Sequence, residues 1–153
     1  MISEPQNERR RASERRAGYA AALREAGLRF DPALLVEARL SLAAAAGAIR
    51  QLCAISEPPD AVFCSDDLLA LGVLFESLRQ GWQVPRQLAI AGFGDLEIAA
   101  EAIVPLTSLR VERVAIGRRA GAMLLAALRG DTSGVEREDV GFDVIARTST
   151  VGA

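Results

Sequence analysis

The chain has 153 residues, half of them hydrophobic and a quarter charged, a composition that lets a single globular domain fold without disulfides or metals. All 18 basic residues are arginine, and histidine and lysine are absent. That excludes Ser-His-Asp and Cys-His nucleophile pairs, His-ligated metals, Schiff-base chemistry and the lysine of phosphate-binding loops.

Against the arginines stand 20 carboxylates, for a net charge of −2, which carries no whole-chain signature of nucleic-acid binding. The first residues are polar and charged, and no stretch approaches the roughly 20 apolar residues of a membrane span. A soluble, cytoplasmic protein is expected. Cys53 and Cys64 sit in apolar stretches and read as reduced core residues.

In chain order, Ala12, Tyr19, Ala20, Leu23 and Ala26 form a helical stripe over residues 9–26, closed by Gly27. Leu34-Leu35-Val36 predicts a buried strand. A second helix is expected over 43–55, with Ala44, Ala45, Ala48, Ile49, Leu52 and Cys53 on one face. Pro58-Pro59 ends it. Ala61-Val62-Phe63-Cys64 is fully apolar and predicts a parallel strand buried on both faces. Ser65-Asp66-Asp67 closes that strand and opens a helix over 68–80, which either aspartate could cap. Leu88-Ala89-Ile90-Ala91 predicts another strand, leading into Gly92-Phe93-Gly94-Asp95. The alternation is that of an α/β domain. Thr107 to Arg110 reads as extended, residues 111–129 as a long helix stopped by Gly130, and residues 139–142 and 144–148 as two last strands.

The strand-end acids carry the most chemistry, because ligands of open α/β sheets sit outside the carboxyl ends of the strands. Paired aspartates there also resemble a phosphoacceptor receiver domain, but that scheme needs a lysine. Gly92-Phe93-Gly94 resembles the opening of a dinucleotide fingerprint, whose third glycine would fall on Glu97. Asp95, Glu97 and Glu101 could serve as an acid–base pair, with nothing enforcing their separation. No cofactor and no metal is expected.

Several segments then agree in order and spacing with one family. They are Glu14-Arg15-Arg16-Ala17-Gly18-Tyr19, Pro59-Asp60-Ala61-Val62-Phe63-Cys64-Ser65-Asp66-Asp67 with Ala70-Leu71-Gly72, Val84-Pro85, Leu88 through Asp95, Pro105-Leu106-Thr107, Ile116-Gly117-Arg118 and Arg147-Thr148-Ser149-Thr150. From about residue 9 onward the chain resembles the C-terminal part of the effector-binding domain of LacI/GalR-family bacterial transcription regulators. Residues 93–97 are most similar to the gluconate-utilisation repressor branch.

The resemblance implies a periplasmic-binding-protein-like type I fold: three-layer α/β, a parallel sheet flanked by helices. Residues 9–95 would form mainly the C-terminal lobe and 106–130 a crossover into an incomplete N-terminal lobe, leaving the long helix with an uncovered apolar face. Residues 1–8 would be a disordered or truncated start, with Ile2-Ser3-Glu4 at most the remnant of a strand. The resemblance also implies a small effector, a sugar or an aldonate such as gluconate, and a homodimer. Operator DNA would be bound only through a headpiece that this chain does not contain, so a truncated or mis-started chain is expected. Asp67 would grip effector hydroxyls and Arg15 a carboxylate or adjacent hydroxyls, with Ser65 and Asp95 nearby. Leu42 stands where many relatives place an aromatic. The alternatives are a stand-alone sugar-binding protein, a carbohydrate-active hydrolase, or a fragment that dimerises with intact relatives through the helix faces at 69–78 and 44–52.

Overall fold

The computed structural model describes residues 1–5, 10–130 and 137–151. Its strands are β1 (Ile2–Ser3), β2 (Val36–Glu37), β3 (Ala61–Phe63), β4 (Ala89–Phe93), β5 (Thr107–Arg110) and β6 (Asp143–Ile145). Its helices are α1 (Arg10–Glu25), α2 (Leu42–Cys53), α3 (Asp67–Arg79), α4 (Glu97–Ala100), α5 (Arg113–Leu128) and α6 (Thr148–Val151). β1 pairs with β2 in parallel, and β3, β4 and β5 form a parallel run that β6 closes antiparallel. A parallel bridge between Ile2 and Cys64 joins the two sheets, so the strands run in the order β2-β1-β3-β4-β5-β6. From β1 the chain passes first to β2 on one side, then to β3 on the other. The crevice beyond the ends of β1 and β3 is therefore a topological switch point, the usual ligand position in such sheets.

Local chemistry accounts for the element boundaries. Gly27 turns left-handed (φ 72°), and Gly27 N–H and Leu28 N–H donate to the carbonyls of Arg24 and Leu23, closing α1 in a Schellman pattern. Ser41 Oγ caps α2 by accepting from Ala44 N–H, 3.2 Å. Asp66, rather than Asp67, caps α3: its Oδ1 accepts from Leu68 N–H at 2.8 Å.

The core lies between α2, α3 and one face of the sheet, where Ile49, Leu52, Leu69, Leu71, Val73, Leu74 and Ile90 are fully buried. Gly72 permits that packing, since a Cβ there would stand 2.6 Å from both Ala45 Cβ and the Leu42 carbonyl oxygen. Glu76 is buried beside it, paired with Arg50 at 2.9 Å and Arg79 at 3.1 Å, and it ties α2 to α3. Cys64 is buried and free, its thiol pushed up to about 12 by desolvation, so it stays un-ionised at neutral pH.

Four expectations are corrected. Residues 1–3 are buried, and Ile2–Ser3 is a paired strand, so of the expected alternatives for this stretch the strand remnant holds and a disordered start does not; residues 6–8 lie outside the described residues. The strand expected at 34–36 begins at Val36, because Asp31 caps a 3-10 turn over Pro32–Leu34 through Ala33 N–H at 2.9 Å. β3 and β4 are not sealed on both faces. Val62, Ile90 and Gly92 are buried, whereas Phe63, Ala89, Ala91 and Phe93 are only partly covered. α1 stands off that second face, leaving a cavity of about 470 Å³ lined by Tyr19, Leu23 and the small sheet residues. Finally, residues 139–142 are not a strand, and 148–151 is a helical turn. Ser149 Oγ donates to the Ile90 carbonyl at 2.6 Å and accepts from Thr107 N–H at 2.8 Å, which a continued strand would not allow. The uncovered helix is as expected: no residue of α5 is buried, and Val114, Leu124 and Leu128 lie open.

Candidate ligand site at the strand ends

Side-chain alternation along β4 decides what reaches the switch point. Ile90 and Gly92 face α3, so Phe93 points to the α1 side at the strand's last position. Arg15, from the second turn of α1, lays its guanidinium over that ring, 4.0 Å from the centroid, and donates from Nη1 to the Ser65 carbonyl at 3.1 Å. A cation–aromatic stack of this kind contributes about 0.5–1 kcal/mol where solvent reaches it. Arg15, Asp66, Phe93, Gly94, Leu96, Val111, Arg113 and Ile116 surround a cavity of about 320 Å³. Two guanidinium groups, one carboxylate and an aromatic face thus meet at one opening, a combination suited to a small polar ligand with an apolar side.

Of the four expected site residues, only Arg15 lines this cavity. Ser65 is buried at the switch point, its Oγ accepting from Glu4 N–H at 3.3 Å, so it joins the ends of β1 and β3. Asp67 lies one layer deeper and is fully buried. Its Oδ1 accepts from Ser108 Oγ at 2.6 Å and its Oδ2 from Leu96 N–H at 2.7 Å, so both oxygens are committed to holding the loop after β4. Desolvation raises its pKa, opposed by those two hydrogen bonds. Gly92 makes room for it, since a Cβ at that position would overlap Asp67 Oδ1.

Asp95 is likewise engaged within the protein. It sits at φ 47°, a left-handed conformation that Asp tolerates better than most residues. Its carboxylate bridges Arg147 and Arg110, each at 2.7 Å, and Ser108 Oγ accepts from its N–H at 3.0 Å. Burial alone would raise its pKa, but the hydrogen bonds and charges of Arg147 and Arg110 outweigh that and hold it below the usual carboxylate value. A group with a depressed folded pKa stabilises the fold above its unfolded pKa, near 3.9, and loses that contribution as pH falls through the folded value. Arg147→Gln is therefore expected to lower stability at pH 6 while flattening the loss between pH 5 and pH 2, read from urea midpoints across that range. A slope unchanged from the parent chain would contradict this assignment.

The same geometry bears on the acid–base alternative. Asp95 has both oxygens in ion pairs, and Glu97 and Glu101 are exposed. Among the described residues no group of three or more His, Cys, Asp or Glu could hold a metal ion. None of their helices is long and apolar enough to cross a membrane.

Phe93, Asp66 and Arg113 were not picked out as site residues from the sequence. Phe93 was legible in principle, because Gly92 must face α3 and alternation then turns its neighbour to the opening. Arg113 had no such signal, since it enters from a distant element.

Comparison with known proteins places the chain. The model of the periplasmic binding protein-like domain matches residues 1–150. The HTH-type transcriptional repressor CytR of Escherichia coli strain K12 is 36% identical over 133 residues, which is 87% of this chain and 39% of that repressor. The HTH-type transcriptional regulator GntR of Pseudomonas aeruginosa is 42% identical over 135 residues, again 87% of this chain and 39% of the relative. Among solved structures, the transcriptional regulator CelR in complex with cellobiose superposes with a TM-score of 0.88 at 29% identity, covering 97% of this chain and 45% of that one. The chain thus spans about two fifths of the length of the curated relatives it matches. The chain belongs to the periplasmic binding protein-like domain family, and within it to the effector-binding domains of LacI/GalR-type transcriptional regulators.

Proposed function

We propose that this chain is the ligand-sensing portion of a LacI/GalR-type transcriptional repressor, acting in the cytoplasm without enzymatic activity. Its ligand is a small sugar or sugar acid, and the observation that carries the reading is the Arg15–Phe93 stack facing a 320 Å³ cavity at the switch point of the sheet. Arg15, which covers one face of Phe93, donates to ligand oxygens, while the part of the ring that Arg15 leaves uncovered meets the C–H side of a sugar. Asp66 keeps its second oxygen for ligand hydroxyls, since Oδ1 already caps α3. Asp67, Ser65 and Asp95 act indirectly, by fixing the strand-end loops that shape the opening. The relatives' names support the regulatory role, and the cellobiose held by CelR supports a carbohydrate-like ligand.

In such a regulator, ligand binding alters how the lobes close and so the geometry of a dimer that presents DNA-binding headpieces. The exposed edge of α2 and α3, with Leu42 and Phe75 partly open around a hollow and Leu78 open on α3, is the surface we assign to the homodimer. Operator DNA would be contacted by a part of the regulator outside this chain.

Thermal melting with a panel of hexoses, pentoses and aldonates tests the reading. At least one member is expected to raise the midpoint, and Arg15→Ala is expected to weaken that ligand by about tenfold or more, the loss of one charge-assisted partner. A panel with no active member, or full affinity in Arg15→Ala, would overturn it.

A further inference from the structure

We propose that the cavity beneath α1 is a second binding site, separate from the strand-end opening, and that it takes a small planar aromatic molecule bearing one polar substituent. The inference stands apart from the ligand-sensing reading, since the two cavities share no lining residue.

Side-chain alternation builds the floor. β3 and β4 pair in the register Ala61↔Ala89 and Phe63↔Ala91, so these four residues share the face turned to α1. Three of them are alanines, whose methyl groups leave a low apolar surface bounded at its upper end by the Phe63 ring. The roof comes from Tyr19 and Leu23, one helical turn apart on α1. Phe30 braces the Tyr19 ring edge-on, with centroids 6.3 Å apart and planes at 72°. Protein interiors leave few voids larger than a water molecule, yet about 470 Å³ stays open here, within the range of small-molecule sites. A floor of methyl groups under an aromatic roof suits a planar ring, which can stack on Tyr19 and meet Phe63 with its edge. A sugar would bring hydroxyls on every side and leave most of them without partners against these walls.

The polar groups gather at one end. Leu28, Arg29, Asp60 and Ala61 are exposed, which puts the mouth at the start of β3, the opposite end of the sheet from the Arg15–Phe93 stack. Among the described residues neither Arg29 nor Asp60 has an ion-pair partner, and the Tyr19 hydroxyl has no hydrogen bond. Burial raises the Tyr19 phenol above its ordinary value, so it stays protonated and able to donate. An occupant therefore meets apolar walls along its length, and a donor and an acceptor where its polar substituent emerges.

Calorimetric titration of the 153-residue chain with 2-naphthol and its decahydro derivative tests this, because the two share a carbon skeleton and a hydroxyl and differ in planarity. 2-Naphthol is expected to bind with a Kd of about 0.1 mM, which a ligand of its size supports, and about tenfold more tightly than the puckered analogue. Ala89→Leu fills the floor and Leu23→Trp fills the roof. Each should weaken 2-naphthol by about tenfold or more while melting at or above the parent chain. Arg15→Ala, at the other end of α1, should bind the probe within about twofold of the parent. Tyr19 is the chain's only tyrosine, so nuclear Overhauser contacts between its ring and 2-naphthol give a readout that needs no variant. No binding by the parent chain up to the probe's solubility limit, equal affinity for the puckered analogue, or parent affinity in a folded filled variant would overturn the inference. So would a saturated complex without Tyr19 contacts, or a tenfold loss in Arg15→Ala, which would move the probe to the strand-end opening. None of these results bears on whether the sugar panel binds at that opening.

Discussion

Gly92→Ala is expected to destabilise the fold by about 3 kcal/mol, the upper end of what overpacking costs in a filled core. The added methyl group would overlap Asp67 Oδ1 and stand 3.2 Å from Ala70 Cβ and 3.3 Å from Asp67 Cα. Backbone and short side chains surround it, so nothing flexible can give way. Relief would require α3 to shift from β4, which would also pull Asp67 away from Ser108 and Leu96. Gly117→Ala is the matched control. It lies in α5 with nothing within 4 Å of its Cβ position, so it should stabilise slightly, by roughly 0.5–1 kcal/mol of helix propensity. Urea unfolding followed by circular dichroism reads both. A Gly92→Ala midpoint within error of the parent chain would show that α3 does not press on β4 as described.

Asp67→Ala is expected to cost about 3 kcal/mol. Truncation strands the Ser108 hydroxyl and Leu96 N–H in a buried site, and each unsatisfied donor costs about 1–3 kcal/mol. Asp67→Asn should cost less, since an amide oxygen can still accept from Leu96 N–H. The pair separates two roles for this residue. If Asp67 holds the loop after β4, stability follows the hydrogen bonds and Asp67→Asn retains ligand binding whenever it folds. If Asp67 instead grips ligand hydroxyls, Asp67→Asn would melt like the parent chain and lose the ligand. The buried position and the two short bonds favour the first outcome.

The long elements were legible because their signals are strong and local. α2 and α3 carry full apolar faces between a serine or aspartate cap and a turn, and the runs at 61–64 and 88–91 suit no other element in this alternation. Short elements escaped. β1 has only two residues and declares itself through pairing with β2 and Cys64, which no local pattern encodes. Thr148 to Val151 looks extended by composition, yet hydroxyl bonds to β4 and β5 wind it into a turn.

The site divides in the same way. The region was legible, since acids and glycines at strand ends mark a ligand position in any open α/β sheet. Which aspartate faces the opening was not. Asp66 and Asp67 are neighbours in sequence, and only the cap geometry of α3 turns one toward the cavity and the other beneath it. Phe93 and Arg113 meet there from β4 and α5, so their proximity is a property of the fold alone.

The central claim is that the cavity bounded by Arg15, Asp66, Phe93, Gly94 and Arg113 is where this domain holds its ligand. The most direct measurement is a crystal structure of the chain with the tightest-binding member of the sugar panel. The account predicts the ligand seated at the end of β4, its hydroxyls on Asp66 and Arg15 and its apolar side toward Phe93. A ligand found elsewhere, such as the cavity beneath α1, with these side chains untouched, would contradict it.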